Sequence, residues 1–159
     1  MSHKRIGIGF IGGGFITRFH IQSLIGVRNC DVLGVMSRTR SSAEESASLA
    51  RTIGVGEAQV FDTVADMVMD ENINALWICA PNFTRIEIME EIVHVIEAGK
   101  GELIGVTCEK PLGRNVKEAK KVLELTQRVE LLDGYLENQV FAPSVTRGRE
   151  IIWARGAKT

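Results

Sequence analysis

Apolar residues and glycines alternate at the start of the chain. Ile6, Ile8 and Phe10 alternate with Gly7 and Gly9, the period-two pattern of a strand with one bulky and one bare face. Three more glycines follow, and beyond them the apolar spacing lengthens to three and four residues, as in an amphipathic helix. The pattern predicts a strand, a glycine turn and a helix whose inward face is formed by Thr17, Ile21, Leu24 and Ile25.

Short apolar runs and longer helical patterns continue to alternate along the chain. Strands are predicted at about residues 31–36, 59–61, 74–80, 103–108 and 131–136, and helices in the intervals between them and from about residue 143. Ser41 or Ser42 is expected to cap the second helix, with Glu44 and Glu45 in its first turn. Strands that alternate with helices indicate an α/β fold with a doubly wound parallel sheet, the Rossmann-type arrangement.

The glycine turn suggests a chemical role. The first amides of a helix lack partners within the helix and carry its positive dipole end, which suits a pyrophosphate. Gly12 would allow the sharp turn, and Gly14 would let phosphates approach the backbone. Thr17 stands at the third glycine position of G-x-G-x-x-G, which weakens the match. A structural loop is the alternative, but the flanking strand and helix favour a dinucleotide site.

Four stretches fall at predicted carboxyl ends of strands, where parallel sheets bind ligands. They are residues 12–14, 37–38, 81–82 and 109–111, and we expect them to line one crevice. Ser37 and Arg38 follow the second strand, with no acidic residue to bind the ribose of NAD. Because an arginine there accommodates the extra phosphate of NADP, the sequence favours NADP over NAD. A solvated basic loop is the alternative.

The composition of the chain limits the classes of partner that it is expected to bind. The 159 residues suit one domain, and 19 basic against 20 acidic residues give a net charge of −1, without the basic excess of nucleic-acid-binding proteins. No apolar stretch is long enough to cross a bilayer, so neither a nucleic-acid nor a membrane partner is expected. The three cysteines, Cys30, Cys79 and Cys108, offer no disulfide framework and no metal-ligand spacing. We expect reduced thiols in a cytoplasmic protein.

Several motifs together resemble the glucose–fructose oxidoreductase, inositol dehydrogenase and MocA family. The resemblance covers nearly the whole chain, and the Glu-Lys-Pro sequence after a strand is its most specific part. The motifs are residues 9–16 with His20 downstream, Ala80-Pro81-Asn82, Gly99-Lys100, Glu109-Lys110-Pro111-Leu112, and Asn138 with Phe141 and Pro143.

The resemblance implies a domain organisation and an activity. It implies a dinucleotide-binding domain over residues 1–140, with residues 141–159 beginning the connection to a C-terminal substrate domain built on an open antiparallel sheet. It also implies hydride transfer between a nicotinamide and a sugar, polyol or related substrate. We expect the full-length protein to be a homo-oligomer.

The resemblance also assigns site residues. The adenosine end would be held by Ser37 and Arg38, and Lys110 would reach the nicotinamide and the substrate oxygen, where an ammonium lowers the cost of alkoxide character. Glu109 would help to fix the part of the site around Lys110. The Lys110–Pro111 bond is expected to be cis. Without the other motifs, Lys110 would be an ordinary surface lysine. The pyrophosphate would be held by Gly12, Gly13, Gly14, Phe15 and Ile16, and the nicotinamide side would be flanked by Pro81 and Asn82. Ala80 and Pro111 would also bind the cofactor.

The sequence departs from the family pattern. Family members often have histidine where Arg85 stands and an arginine near Val140. The usual proton-transfer histidine belongs to the C-terminal domain, and His3, His20 and His94 are poor replacements. We therefore expect the isolated chain to bind NADP(H) weakly without turnover, and its last helix to leave an apolar face that promotes self-association.

Two other functions compete with this interpretation. A non-catalytic NADP-sensing or regulatory module would keep the glycine turn but would have no use for Lys110. A methyltransferase that uses S-adenosylmethionine also has a glycine-rich turn after its first strand. That class needs an acidic side chain after the second strand, and Ser37 and Arg38 argue against it.

Overall fold

The computed structural model describes residues 5–154, in which strands and helices alternate along the chain. The strands are β1 (Ile6–Ile11), β2 (Cys30–Met36), β3 (Gln59–Phe61), β4 (Ala75–Ile78), β5 (Gly105–Glu109) and β6 (Leu132–Leu136). The helices are α1 (Phe15–Ser23), α2 (Arg40–Thr52), α3 (Val64–Met69), α4 (Arg85–Glu97), α5 (Val116–Arg128) and α6 (Pro143–Ala154).

The six strands pair in the order β3-β2-β1-β4-β5-β6, and every pairing is parallel. The predicted doubly wound α/β fold is therefore confirmed. The chain runs outward from β1 to β3, returns to the centre, and runs outward again from β4 to β6. The carboxyl ends of β1 and β4 lie side by side where the direction reverses, which is where such sheets open a ligand-binding crevice.

The sheet buries a separate apolar cluster on each face. On one face, Ile8 and Phe10 of β1 and Val32 and Val35 of β2 pack against α2. Helix α2 presents alanines to the sheet, so it lies close to the strands. On the other face, β4 and β5 pack against α3, α4 and α5. The residues of this second cluster include Leu76, Ile78, Val106, Met67, Met89, Ile92, Val122 and Leu125.

The bare face of β1 allows a close approach of other elements. A Cβ added to Gly7 would lie 1.9 Å from the backbone oxygen of Asn72, and one added to Gly9 would lie 2.4 Å from the sulfur of Met67 in α3. Both distances are shorter than a van der Waals contact. The glycines of β1 are therefore required by packing as well as by the pattern of the strand.

Two local predictions are wrong. Helix α1 ends at Ser23 and a 3₁₀ turn follows, so Ile25 is 64% exposed instead of facing inward. Helix α2 begins at Arg40 with Thr39 as its N-cap residue, so Ser41 and Ser42 lie inside the helix and cap nothing, and Glu44 and Glu45 fall beyond its first turn. Both errors arise because tertiary contacts decide where a helix starts and ends, and periodicity alone does not reveal those contacts.

The predicted last helix is confirmed as α6. It contains no buried residue, and its apolar side chains Val145, Ile152 and Trp153 are exposed, as is Phe141 just before it. The exposed apolar face is therefore present, while self-association stays a prediction. His3 and residues 155–159 lie outside the described residues. None of the helices within residues 5–154 combines the length and apolar character needed to span a bilayer.

We predict that Gly7→Ala destabilises the chain by about 2–3 kcal/mol, because the added methyl group meets the fixed backbone at Asn72. Urea unfolding of the variant and the wild type measures this difference. Gly26→Ala is the matched control, since a Cβ there meets nothing within 4 Å. Equal stability of the Gly7→Ala variant and the wild type would contradict the packing described for β1.

Candidate functional site

A crevice of about 940 Å³ lies at the carboxyl ends of the strands. It is lined by the turn after β1 and by the segments after β2, β4 and β5. The structure thus brings together all of the site residues predicted from the sequence. These residues are Gly12, Gly13, Gly14, Phe15, Ile16, Ser37, Arg38, Ala80, Pro81, Asn82, Glu109, Lys110 and Pro111.

The glycine turn presents bare backbone to the crevice. Gly14 is the N-cap residue of α1, and no side chain caps the first amides of this helix. A Cβ at Gly14 would meet nothing within 4 Å, so this side of the turn is open. Gly12 has a φ of 111°, and a Cβ there would lie 2.9 Å from the amide nitrogen of Ala80. Only glycine suits such a position.

Side chains from α1 and α2 hold this turn from behind. The hydroxyl of Thr17, which is fully buried, donates to the carbonyl oxygen of Gly12 at 2.7 Å. Ser46 and Arg18 both donate to the carbonyl oxygen of Gly13, each at 3.1 Å. Thr17 therefore supports the turn, although its presence at the third glycine position weakens the match to G-x-G-x-x-G.

Helix ends give the crevice a positive character. The N-cap residues of α1 and α2 are Gly14 and Thr39, which both line the crevice, and neither of them makes a side-chain cap. The start of α4 also lines the crevice, but a 3₁₀ turn over Asn82–Thr84 precedes it, and the amide of Arg85 donates to the carbonyl oxygen of Asn82. By contrast, Thr63 caps α3 and Asn115 caps α5, each through a hydrogen bond to a backbone amide. Uncapped helix N-termini offer free amides and a positive dipole end to an anion. The open turn and its surroundings therefore fit a dinucleotide, which carries a pyrophosphate.

The segment after β2 contributes Arg38, whose side chain is exposed. The nearby Arg40 is engaged by Glu44 at 3.1 Å and by Asp62 at 2.7 Å. No salt bridge within residues 5–154 involves Arg38. The Arg38 guanidinium is thus available to an anionic group at this end of the crevice.

Glu109 is fixed by two hydrogen bonds at the end of β5. It is buried, with 7% of its surface exposed. One carboxylate oxygen lies 2.7 Å from Nε2 of His20, and the other accepts the amide hydrogen of Lys110 at 3.0 Å. The His20 ring also packs edge-on against Trp77, with centroids 5.2 Å apart. Helix α1 is thereby linked to the corner that carries Lys110.

Sequence reasoning did not find the contact between His20 and Glu109. The two residues are 89 positions apart, and only the pairing of β1, β4 and β5 brings α1 over the end of β5. The position of His20 one turn after the open end of α1 was the available signal. His94, by contrast, is exposed on α4.

The Lys110–Pro111 peptide bond is cis, in agreement with expectation. Lys110 itself is exposed at the crevice. Arg85, the first residue of α4, is only 2% exposed and donates from Nη1 to the carbonyl oxygen of Pro111. The Lys110–Pro111 turn is therefore held by Glu109 on one side and by Arg85 on the other.

Two cysteines near the crevice are poor nucleophiles. Burial raises the pKa of Cys79 to about 12 and that of Cys108 to about 11. Both thiols therefore stay protonated at neutral pH, and only the thiolate is reactive. All three cysteines are free thiols, and Cys79 and Cys108 pack against the apolar clusters of the sheet.

The strand order and the open glycine turn define a Rossmann-type nucleotide-binding domain. A model of the GFO/IDH/MocA oxidoreductase family, described as an NAD-binding Rossmann fold, matches residues 6–132. The chain belongs to this family of oxidoreductases, and the relatives that it matches include proteins named as dehydrogenases.

Individual relatives agree with this assignment. The chain is 29% identical over 128 residues to glucose-6-phosphate 3-dehydrogenase of Bacillus subtilis, a match that covers 80% of this chain and 32% of that protein. It is 26% identical over 148 residues to the rhizopine catabolism protein MocA of Rhizobium meliloti, covering 87% and 44%. The chain therefore spans about a third to under a half of the length of these curated relatives.

Solved structures show the same fold. GenD2 from gentamicin A biosynthesis, in complex with NAD, is 26% identical with a TM-score of 0.77, covering 98% of this chain and 42% of that one. Myo-inositol 2-dehydrogenase from Lactobacillus plantarum is 22% identical with a TM-score of 0.73, covering 96% and 42%. The second likeness establishes the fold alone.

We predict that His20→Phe destabilises the chain by about 1–3 kcal/mol, because it leaves a buried oxygen of Glu109 without its partner. Urea unfolding at neutral pH measures the loss. His20→Gln is the matched control, since its amide can still donate to the carboxylate, and we expect it to lose less. If His20→Phe were as stable as the wild type, Glu109 would not depend on this hydrogen bond.

Proposed function

We propose that this chain is the coenzyme-binding part of an oxidoreductase that transfers hydride between NADP(H) and a sugar, polyol or related hydroxy or carbonyl compound. The observation that carries the proposal is the uncapped N-terminus of α1, open to a crevice lined by every predicted site residue. The substrate class is supported by the names of the relatives, which include dehydrogenases of glucose 6-phosphate and of inositol.

The coenzyme would lie along the carboxyl edge of the sheet. The amides of Phe15 and Ile16 would bind the pyrophosphate, since these first-turn donors lack a cap and Gly14 leaves the approach open. The nicotinamide would lie toward Ala80, Pro81 and Asn82, with Pro111 opposite. When bound, the coenzyme supplies the hydride acceptor or donor.

Lys110 and Glu109 would act at the nicotinamide end. Lys110 is exposed at the crevice, so its ammonium group can approach the substrate oxygen. A positive charge there stabilises negative charge that develops on the oxygen during hydride transfer. Glu109 would act on Lys110 through the backbone, because its carboxylate accepts the Lys110 amide hydrogen and is itself held by His20.

Arg38 would make NADP the preferred coenzyme. Its guanidinium is exposed at the end of β2 and forms no salt bridge with another described residue, whereas Arg40 is already engaged. A free guanidinium at this position binds the 2′-phosphate of NADP well, and no acidic residue stands at Ser37–Thr39 to bind the ribose of NAD. NAD is the alternative, supported by the family description and by the NAD complex of GenD2.

Turnover would require more than this chain. Within residues 5–154, His20 is the histidine that contacts a residue of the crevice lining, and its Nε2 is already engaged by Glu109. We therefore propose that the 159-residue chain binds nucleotide without turnover. In the whole protein, which we propose to be a cytoplasmic homo-oligomer, a C-terminal domain following residues 141–159 would supply the substrate walls and the acid/base group.

A nucleotide-sensing module is the second candidate. The observation in its favour is that His20 is engaged by Glu109 and is therefore not free to transfer a proton. The two functions differ in their need for Lys110. We predict that Lys110→Ala in the whole protein lowers kcat at least a hundredfold, while the Kd for NADPH changes less than threefold. A kcat that Lys110→Ala leaves unchanged would contradict the catalytic role of this lysine.

We predict that Arg38→Asp weakens NADPH binding by the 159-residue chain at least tenfold, because the carboxylate repels the 2′-phosphate that the guanidinium attracts. The affinity for NADH should be equal or higher. Calorimetric titration of both nucleotides at one ionic strength measures the change.

The matched control is Lys117→Asp, which makes the same charge change on α5, away from the crevice lining. Its nucleotide affinities should equal those of the wild type. Coenzyme preference that stays unchanged in Arg38→Asp would exclude this residue as the phosphate contact, and the absence of binding by either nucleotide would overturn the proposed function itself.

A further inference from the structure

Arg85 is a buried cation in an unfavourable environment. Its side chain is among the largest fully buried ones, with 2% of the residue exposed, and its Nε is buried without a hydrogen-bond partner. The hydrogen bond that it makes, to the carbonyl oxygen of Pro111, has an uncharged acceptor. Within the described residues, no carboxylate lies within salt-bridge distance of its guanidinium.

The position of Arg85 at the start of α4 adds a second cost. A cation in the first turn of a helix is opposed by the positive end of the helix dipole. Burial lowers the pKa of Arg85, although arginine remains protonated in proteins. A buried charge without a salt bridge, at the unfavourable end of a helix, is costly to the fold even though one of its donors holds the Lys110–Pro111 turn, and such departures are expected at functional sites.

The charge of Arg85 lies at one end of the crevice. Arg85 lines it beside Asn82 and Pro111, the end assigned above to the nicotinamide. The carboxylate of Glu109 is close enough to act on Arg85 electrostatically, but it is already engaged by His20 and by the amide of Lys110. Glu87 and Glu91 also line the crevice, and Glu91 accepts the amide hydrogen of Ala65 at the start of α3.

We propose that Arg85 makes this crevice favour the reduced coenzyme, since its buried positive charge disfavours the cationic oxidised nicotinamide and leaves the neutral reduced ring unaffected. This inference rests on the proposed function, which supplies the position of the nicotinamide. The nearby carboxylates affect how strongly the wild-type crevice prefers one redox state of the coenzyme. They do not change the expectation that loss of the Arg85 charge shifts this preference toward the oxidised coenzyme. Arg85 is thus a residue that determines specificity for the coenzyme's redox state.

The size of the effect follows from Coulomb's law. Two unit charges on the order of 10 Å apart, at effective dielectric constants of about 40 to 20, change an affinity by about fourfold to fifteenfold. Removal of the Arg85 charge should therefore lower the ratio of the Kd for NADP⁺ to the Kd for NADPH by about this factor. The affinity for 2′-phospho-ADP-ribose, which has no nicotinamide, should not change.

Calorimetric titration of the 159-residue chain with NADPH, NADP⁺ and 2′-phospho-ADP-ribose at pH 8 and fixed ionic strength tests the proposal. The variant Arg85→Gln removes the charge, and Arg85→His removes it a second way, because an imidazole is mostly neutral at this pH. Arg85→Lys keeps the charge and should keep the wild-type ratio. Arg128→Gln is the control for loss of an arginine outside the crevice lining, on α5.

The outcomes separate the inference from the proposed function. A Kd ratio that falls in Arg85→Gln and Arg85→His but not in Arg85→Lys supports the role of Arg85. A ratio that stays constant in both charge-removing variants, while all three ligands still bind, overturns this inference and leaves the proposed function intact. If none of the ligands binds the wild-type chain, the proposed function fails and the inference with it.

Discussion

The unsatisfied backbone amides at the start of α1 are the constraint on which the site depends. A helix end normally finds a cap, and α3 and α5 find theirs in Thr63 and Asn115. Helix α1 begins after a glycine turn with no side-chain cap, and Gly14 leaves its approach open. These donors can be satisfied by solvent or by an anionic ligand, and the crevice in front of them has room for a dinucleotide.

The rest of the fold holds this open turn at a fixed distance from Glu109 and Lys110 at the end of β5. Thr17 binds the carbonyl of Gly12 from inside α1, and one turn later His20 binds Glu109 at the end of β5. The same helix therefore positions both the open amides of its own first turn and the segment that carries Lys110. Arg85 fastens that segment from α4 on its other side. A rigid spacing between these points is what the proposed hydride transfer would require.

The sequence was sufficient to predict the architecture and the residues that share the crevice. Periodicity identified all six strands, and the rule that ligands lie at the carboxyl ends of parallel strands put residues 12–14, 37–38, 81–82 and 109–111 in one crevice. Helix ends were less predictable. The predicted inward position of Ile25 and the predicted serine cap of α2 were wrong, because the chain departs from helical geometry where packing requires it.

The contacts that support the site could not be predicted. These contacts depend on side-chain directions, and two of the three join residues far apart in the sequence. They are the pairs Thr17 with Gly12, His20 with Glu109, and Arg85 with Pro111. Local propensity contains no information about such pairs. The burial of Arg85 in particular contradicts the general expectation that an arginine at a helix start is exposed.

Mapping of backbone amide chemical shifts during titration of the isotope-labelled chain with NADPH tests the central claim most directly. The largest shifts should occur at the amides of residues 13–16, with smaller shifts at residues 37–38 and 80–82. Saturable shifts concentrated elsewhere, with the amides of residues 13–16 unaffected, would contradict it.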